Sequence, residues 1–204
     1  MSEIRPAIAL NLSAKLLLLG LALFPLVAPD LPQFQGKALA ARAATYSLVP
    51  FLLPALWWLR GRPASYPHLI DTLIAAPFIV DSGGNALDLY AKVEVFDLFA
   101  HWLNWVFLVT AFGAMMSTLD LGRLNVGALS LGFGAVSHIC WELAEYGLSK
   151  LGSSGLQLTY ENTMQDFIFS LLGSLTGALV VMVVVWPRRP SSAGLFRWSR
   201  GGRA

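Results

Sequence analysis

The feature that most constrains this chain is a series of apolar stretches long enough to cross a lipid bilayer. A hydrocarbon core about 30 Å thick needs roughly 20 apolar residues in an α-helix. Six stretches approach that length: residues 7–28, 43–59, 68–80, 95–116, 124–148 and 164–186. The third is short and contains Asp71 and Pro77, so a tilted or re-entrant segment is the alternative to a full crossing there. The sequence predicts an all-α membrane protein, a bundle of about six transmembrane helices.

Composition supports a membrane location over a soluble fold. Charged residues make up 13% of the chain and hydrophobic residues 56%, whereas soluble domains carry about 25% charged residues. The net charge of +2 gives no reason to expect nucleic acid as a partner, so membrane lipids are the expected surroundings. The single cysteine, Cys140, excludes an intrachain disulfide and a cysteine-based metal site. Either a monomer or a homodimer fits this composition.

The basic residues predict the orientation, because cytoplasmic loops are rich in Lys and Arg. With six crossings, the side that holds both termini carries nine basic residues: Arg5, Arg60, Arg62, Arg123, Arg188, Arg189, Arg197, Arg200 and Arg203. The other side carries four: Lys37, Arg42, Lys92 and Lys150. We therefore expect a multi-pass protein of the bacterial plasma (inner) membrane with both termini cytoplasmic. Residues 1–187 would form one polytopic domain and residues 188–204 a basic, flexible cytoplasmic tail.

Five ionisable residues fall at a similar depth on the last three predicted helices. Asp97 and His101 lie four residues apart near the outer end of the fourth helix, and Glu142 and Glu145 lie three apart near the outer end of the fifth. Asp166 lies in the first turns of the sixth helix. Residues three or four apart share a helix face, and a charge facing lipid costs several kcal/mol. We therefore expect these side chains to turn inward and converge.

Such a cluster is suited to two kinds of chemistry. Carboxylates and imidazole can bind a divalent cation, and two neighbouring carboxyl groups can share a proton for acid–base work. The same five residues are our candidates for metal coordination and for catalysis. The alternative is structural, since Asp166 near a helix N-terminus also complements the helix dipole. His138 precedes Glu142 by one turn, and it either supports the site or bonds a neighbouring helix.

Four motifs in order resemble a known family. They are Asp81-Ser-Gly-Gly-Asn85-Ala-Leu-Asp-Leu-Tyr90, Phe96-Asp97-x-x-x-His101-Trp102, Trp141-Glu142-x-x-Glu145-Tyr146, and Tyr160-x-Asn-Thr163-x-x-Asp166 followed by Gly173. Over about residues 69–180 the chain resembles the YjdF-like bacterial membrane proteins and, more distantly, the VanZ-like proteins. VanZ-like members are linked to glycopeptide antibiotic resistance, a phenotype that defines no reaction. The resemblance adds Asp81 and Asn85 as supporting residues, on an outer loop that could fold over the cluster.

Three functions remain open at this point. A polar site open to the outer leaflet could bind a divalent cation and a lipid or lipid-linked headgroup, and as an enzyme it would be a metal-assisted hydrolase or transferase. A proton- or cation-coupled transporter is the second, although transporters tend to place their sites near the midplane of repeated halves and no repeat is visible here. A non-catalytic structural or assembly protein is the third. No nucleophilic serine motif or HExxH zinc signature assigns an activity.

Small residues four apart occur on two of the predicted helices. Gly173-x-x-x-Gly177 lies in the sixth helix and Ala128-x-x-x-Gly132 in the fifth. Such pairs let helix backbones approach closely. The sequence is compatible with packing inside one chain or between two copies.

Overall fold

The computed structural model describes residues 4–62, 65–156 and 158–188. Within these ranges the regular elements are all helical, which confirms the predicted fold class for this part of the chain. The α-helices are α1 Ile4–Val27, α2 Leu39–Tyr46, α3 Val49–Leu59, α4 His68–Ala86, α5 Leu89–Lys92, α6 Phe96–Met116, α7 Arg123–Lys150 and α8 Tyr160–Val180. A 3₁₀ turn covers Pro32–Phe34, and α8 continues as a π-helical turn, Val181–Val185, and a 3₁₀ turn, Trp186–Arg188.

Several of these helices have the length and composition of membrane spans. Among the described residues four qualify: Arg5–Val27, Phe96–Met116, Arg123–Lys150 and Tyr160–Arg188. They coincide with the first, fourth, fifth and sixth predicted stretches. Only 17% of the apolar window in the first is buried inside the structure, and Leu16 is 71% exposed. Apolar side chains exposed to this extent match a surface that faces lipid hydrocarbon.

The second predicted stretch, 43–59, is not one helix. It is divided between α2 and α3, which have 8 and 11 residues, and α2 ends at Tyr46. Pro50 has no backbone N–H, so it cannot donate to the carbonyl of Tyr46 four residues earlier, and the helical ladder stops there. Pro50 instead occupies the first turn of α3, where a proline is tolerated.

The third predicted stretch, 68–80, is longer than expected. The 19-residue helix α4 measures roughly 28 Å at 1.5 Å per residue. The placement of Asp81 and Asn85 in an outer loop is wrong, because both lie in the last turns of α4. The Ser-Gly-Gly-Asn run resembles a turn, but Gly84 stays helical and instead leaves room for a neighbour. A Cβ added to Gly84 would overlap the ring of Phe96.

Helix α6 lies at the centre of the bundle. It packs against α4, α7 and α8, and α1 packs against α4. The closest approach joins α6 and α8, since a Cβ on Gly173 would overlap the backbone carbonyl of Trp102, and one on Gly177 would press on Val109. Nothing lies within 4 Å of a Cβ placed on Gly132. The first small-residue pair therefore packs inside the chain, whereas the second faces outward.

The basic tail predicted over residues 188–204 lies outside the described residues except for Arg188. That residue closes the last 3₁₀ turn, and its guanidinium donates to the carbonyl of Val184 at 2.8 Å.

Candidate functional site

Three of the predicted site residues meet where α6 and α8 cross. Asp97 lies in the first turn of α6, His101 one turn later, and Asp166 in the second turn of α8. His101 Nε2 lies 3.7 Å from Asp97 Oδ1 and 3.5 Å from Asp166 Oδ1. One ligand atom from each residue falls within 4.8 Å of the others. We call these three residues the acid–histidine triad.

Neighbouring polar groups hold the triad in place. The other ring nitrogen of His101, Nδ1, lies 3.1 Å from Ser170 Oγ, one turn beyond Asp166 on α8. Asn162 Nδ2 donates to Asp97 Oδ2 at 3.1 Å. A histidine that binds metal usually engages its second nitrogen in a hydrogen bond, which fixes the ring. Ser170 can play that part here, and Nε2 remains directed at the two carboxylates.

The triad contains a buried acceptor without a donor. Asp166 is only 2% exposed, and its Oδ1 has no hydrogen-bond partner among the described residues. Burying an unpaired carboxylate oxygen is costly, so such an atom calls for a proton, a water or a cation. Two carboxylates and one imidazole form a set of ligands that can bind divalent cations such as Mn²⁺ and Zn²⁺.

A second charged cluster surrounds Arg42 of α2. Its Nη1 pairs with Asp81 Oδ2, and its Nη2 lies 3.5 Å from Glu145 Oε1. The Arg42 Nε donates to the backbone carbonyl of Lys37 at 3.1 Å. Glu145 was expected beside the triad, and it lies instead against the guanidinium of Arg42, a residue not predicted to be part of the site. We call Arg42, Asp81 and Glu145 the arginine cluster.

Asp81 is the best-satisfied carboxylate of this cluster. Tyr46 donates to its Oδ2 at 2.8 Å, and Tyr90 to its Oδ1 at 3.0 Å. Asn85 Nδ2 donates both to Oδ1 and to the Asp81 carbonyl. Burial, together with the negative charge of Asp81, raises the pKa of the Tyr90 hydroxyl well above its usual value, so this group remains a donor. Asp81 is therefore held rigidly, and it fixes the guanidinium of Arg42 in turn.

Lys37 lies beside the arginine cluster and has a different environment. Its Nζ donates to Asn85 Oδ1 at 2.9 Å and sits 5.4 Å from the centre of the Tyr90 ring. Within the described part of the chain no carboxylate comes within 4 Å of this ammonium. Burial and the nearby charge of Arg42 lower the pKa of Lys37.

The triad and the arginine cluster share one cavity of about 130 Å³. Its polar lining is Lys37, Arg42, Tyr46, Asp81, Asn85, Tyr90, Asp97, His101, Asn104, Glu145, Asn162 and Asp166. Its apolar lining includes Phe78, Trp105, Leu108, Trp141 and Leu156. The cavity is therefore lined by acidic, basic and apolar side chains, inside a bundle that exposes many large apolar side chains.

Two predicted residues are not part of the cavity lining. Glu142 is 5% exposed, and neither of its carboxyl oxygens has a hydrogen-bond partner among the described residues. His138 packs between aromatic rings, 5.9 Å from Trp105 and 5.5 Å from Phe167 between ring centres. Neither residue lines the cavity described above. His138 is thus surrounded by aromatic rings, and Glu142 is a buried carboxyl group outside the cavity lining.

The basic residues of the site were not predicted from the sequence as site residues. Lys37 and Arg42 were used only to count loop charges, although that count already placed them on the same side as the acids. Arg42 directly precedes an apolar stretch, and a basic residue at this position is normally assigned to the membrane boundary. The detectable signal was the excess of buried acids at that end, since buried carboxylates call for basic partners.

Comparisons with known proteins agree with a membrane location and assign no activity. An uncharacterised protein of Thermotoga maritima is 31% identical over 114 residues, which cover 53% of this chain and 59% of that protein. The match thus spans less than two thirds of that relative's length. No solved structure matches the chain. The model of a family described as "Predicted membrane protein (DUF2238)" matches residues 13–187. The chain therefore belongs to this family of predicted membrane proteins, DUF2238.

Proposed function

We propose that this protein binds a divalent cation in the membrane, on Asp97, His101 and Asp166, and uses it to hold the headgroup of a lipid or lipid-linked molecule. The observation that carries the proposal is the convergence of these three side chains within 4.8 Å, next to the unpartnered Oδ1 of Asp166. Oxygen and nitrogen donors on two packed helices give a cation fixed geometry. A bound cation would supply positive charge that attracts and polarises headgroup oxygens.

The charge balance of the cavity supports a cation of charge two. Its lining holds four carboxylates, Asp81, Asp97, Glu145 and Asp166, and two basic groups, the Lys37 ammonium and the Arg42 guanidinium. The excess is two negative charges when the carboxylates are ionised and His101 is neutral. Uncompensated charge is expensive in a low-dielectric bundle. One divalent ion neutralises this excess, and each carboxyl group that also keeps its proton leaves one positive charge for an anionic ligand. Without a metal, neutralisation needs two protons.

The proposal includes a membrane arrangement. We infer six crossings of a bacterial plasma membrane, the second made by α2 and α3 together and the third by α4, with both termini cytoplasmic. The length of α4 and the excess of basic residues on the side of the termini support this arrangement. The cavity then lies toward the outer leaflet, where headgroups meet the protein. The resemblance to YjdF-like and VanZ-like proteins is compatible with such a site.

Metal binding by the purified protein tests the proposal. Detergent-solubilised wild-type chain should retain about one equivalent of a divalent metal in elemental analysis and should bind Mn²⁺ in calorimetric titration. Asp97→Asn should weaken Mn²⁺ binding by at least about 10- to 100-fold, the loss typical of changes even to groups that only support a ligand. Affinity should also fall in acid, since the ligands must be deprotonated to bind. Glu94→Gln, an exposed acid just before α6, is the matched control.

Two results would contradict the proposal. One is wild-type protein without stoichiometric metal whose unfolding temperature is unchanged by chelator. The other is an Asp97→Asn protein that fails to assemble in the membrane, because the triad would then hold helices together and the structural alternative would be preferred.

A further inference from the structure

The cavity that holds the acid–histidine triad also presents two basic side chains that are not ligands of the proposed cation. Lys37 and Arg42 precede α3 in the chain, and both line the cavity together with Asp97 and Asp166. A site for a cation alone needs carboxylates and no ammonium or guanidinium beside them. Two basic groups next to a cation-binding triad are instead the arrangement that binds an anion shared between the metal and the protein.

Lys37 is the less satisfied of the two. An ammonium has three N–H donors, and one of them is used by Asn85 Oδ1 at 2.9 Å. Within the described part of the chain, no carboxylate forms an ion pair with Lys37, although the charges of Asp81, Asp88 and Asp97 act on it from farther away. A half-buried ammonium without an ion-pair partner is stabilised by an anionic ligand that accepts hydrogen bonds from its remaining N–H groups.

Arg42 is held ready for the same ligand. Asp81 engages its Nη1, and Tyr46 and Asn85 fix Asp81 in turn. The Nη2 edge faces Glu145 at 3.5 Å, the outer limit for a hydrogen bond. One edge of the guanidinium is thus anchored, and the other is only loosely engaged. A guanidinium fixed in this way loses little rotamer freedom when it binds a phosphate oxygen.

The apolar lining indicates what the anion is attached to. Phe78, Trp105, Leu108 and Trp141 border the cavity beside its charged groups. The cavity volume of about 130 Å³ equals roughly four waters at about 30 Å³ each. That volume accommodates a tetrahedral anion with a cation, and the apolar wall suits the carbon atoms next to a headgroup.

We propose that the cavity binds a phosphate monoester, the headgroup chemistry of phosphatidic acid, with the phosphate oxygens held by Lys37 and Arg42 on one side and by the triad's cation on the other. This inference rests on the proposed function for the cation, and it adds the class of ligand and the residues that select it. A free phosphate ion shares the same chemistry, so the experiment must separate the two sources.

The experiment measures ligand binding to the full chain in detergent with Mn²⁺ present, from the fluorescence of its tryptophans. The probes are dihexanoyl phosphatidic acid, dihexanoyl phosphatidylcholine and inorganic phosphate. We expect phosphatidic acid to bind at least about 10-fold more tightly than phosphatidylcholine, and Lys37→Met to remove most of that preference. Lys37→Arg should retain it, because a guanidinium also binds phosphate. Lys92→Met is the matched control, since Lys92 is 65% exposed and pairs with Asp88.

Each result bears on one proposal or the other. If Lys37→Met binds phosphatidic acid as tightly as Lys92→Met does, Lys37 is not an anion ligand and the inference fails. If inorganic phosphate binds as tightly as phosphatidic acid and depends on Lys37, the anion site stands and its ligand is free phosphate. Mn²⁺ binding measured without phosphate separates the two claims. Wild-type protein that binds Mn²⁺ but no probe overturns only the inference. Lys37-dependent phosphatidic acid binding without Mn²⁺ binding overturns the proposed function and the cation's part in the inference, and it leaves Lys37 as an anion ligand.

Discussion

Lys15 lies within α1, where an ammonium that faced lipid would cost several kcal/mol. The structure pairs it with Asp71 of α4, with Lys15 Nζ 2.5 Å from Asp71 Oδ2. Tyr66 donates to the same carboxylate oxygen at 2.5 Å, and Asp71 is 1% exposed. The pair therefore allows a charge inside the first apolar helix, and it fastens α1 to α4.

The first prediction concerns this buried pair. Lys15→Met should lower the free energy of unfolding by about 3–5 kcal/mol, because Asp71 would be left buried without its counter-charge. Adding Asp71→Asn should recover part of the loss, since the unpaired charge is then removed. Chemical unfolding of the detergent-solubilised variants measures both effects.

The ion pair of the exposed Lys92 with the half-buried Asp88 provides the control for that measurement. Lys92→Met should change the free energy of unfolding by no more than about 0.5 kcal/mol, the usual range for surface substitutions. Lys15→Met with wild-type stability would contradict the prediction, and it would show that Tyr66 alone satisfies Asp71.

The sequence predicted the neighbours of some buried charged residues and not of others. Asp97, His101 and Asp166 could be placed together because each lies at the same end of a long apolar helix, and helical spacing fixes the face on which it lies. The partners of Asp71 and Asp81 could not, because Lys15 and Arg42 come from helices distant in the chain. Helical periodicity gives the direction of a side chain, whereas pairing depends on which helices are neighbours.

At the scale of helices, glycine decides how closely α6 and α8 approach. The second prediction is that Gly173→Leu destabilises the bundle severely or prevents its assembly, because any Cβ there overlaps the carbonyl of Trp102. Backbone atoms cannot move aside as the end of a flexible side chain can. The unfolding temperature in detergent and the yield of membrane-inserted protein measure the effect.

Gly132→Leu is the matched control, because nothing lies within 4 Å of a Cβ at that position. This change should leave stability equal or raise it by up to about 1 kcal/mol, since leucine has the better helix propensity. Destabilisation by Gly132→Leu would indicate that the outward-facing pair, Ala128 and Gly132, packs against another copy of the chain. Similar losses for both variants would contradict the assignment of Gly173 to a tight helix contact and of Gly132 to an open surface.

Two of the long apolar helices were predicted to within two residues at each end, and the shorter helices were not. The predicted stretches 95–116 and 124–148 coincide with α6 and α7, because hydrophobic length sets a membrane helix directly. Pro50 divides the second stretch because it has no N–H to donate to the carbonyl of Tyr46. Helix α4 continues past Gly84, which leaves room for the Phe96 ring of α6, and no local pattern identifies that neighbour.

At the scale of the whole molecule, two polar clusters lie at different levels of the α1–α4 pair. Asp71 begins α4 beside Lys15, and Asp81 comes ten residues later at the cavity. Between them the core is apolar, with Leu18, Ala22, Ala75 and Phe78 packed together. Among the described residues, the polar cavity is therefore separate from the Lys15–Asp71 pair, and neither residue of that pair lines it.

The last prediction is the side of the membrane on which that site lies. With both termini cytoplasmic, the connection before α6 faces outward and the connection between α6 and α7 faces the cytoplasm. Glu94 and Asp120 are exposed residues in these two connections. In a Cys140→Ser background, Glu94→Cys should react with a membrane-impermeant maleimide in intact spheroplasts, and Asp120→Cys only after permeabilisation. The reverse pattern would place the cavity at the cytoplasmic leaflet. With the N-terminus cytoplasmic, it would mean that the segments before α6 cross the membrane an even number of times. The anionic ligand would then have to be sought among cytoplasmic headgroups, with the cation and phosphate contacts unchanged.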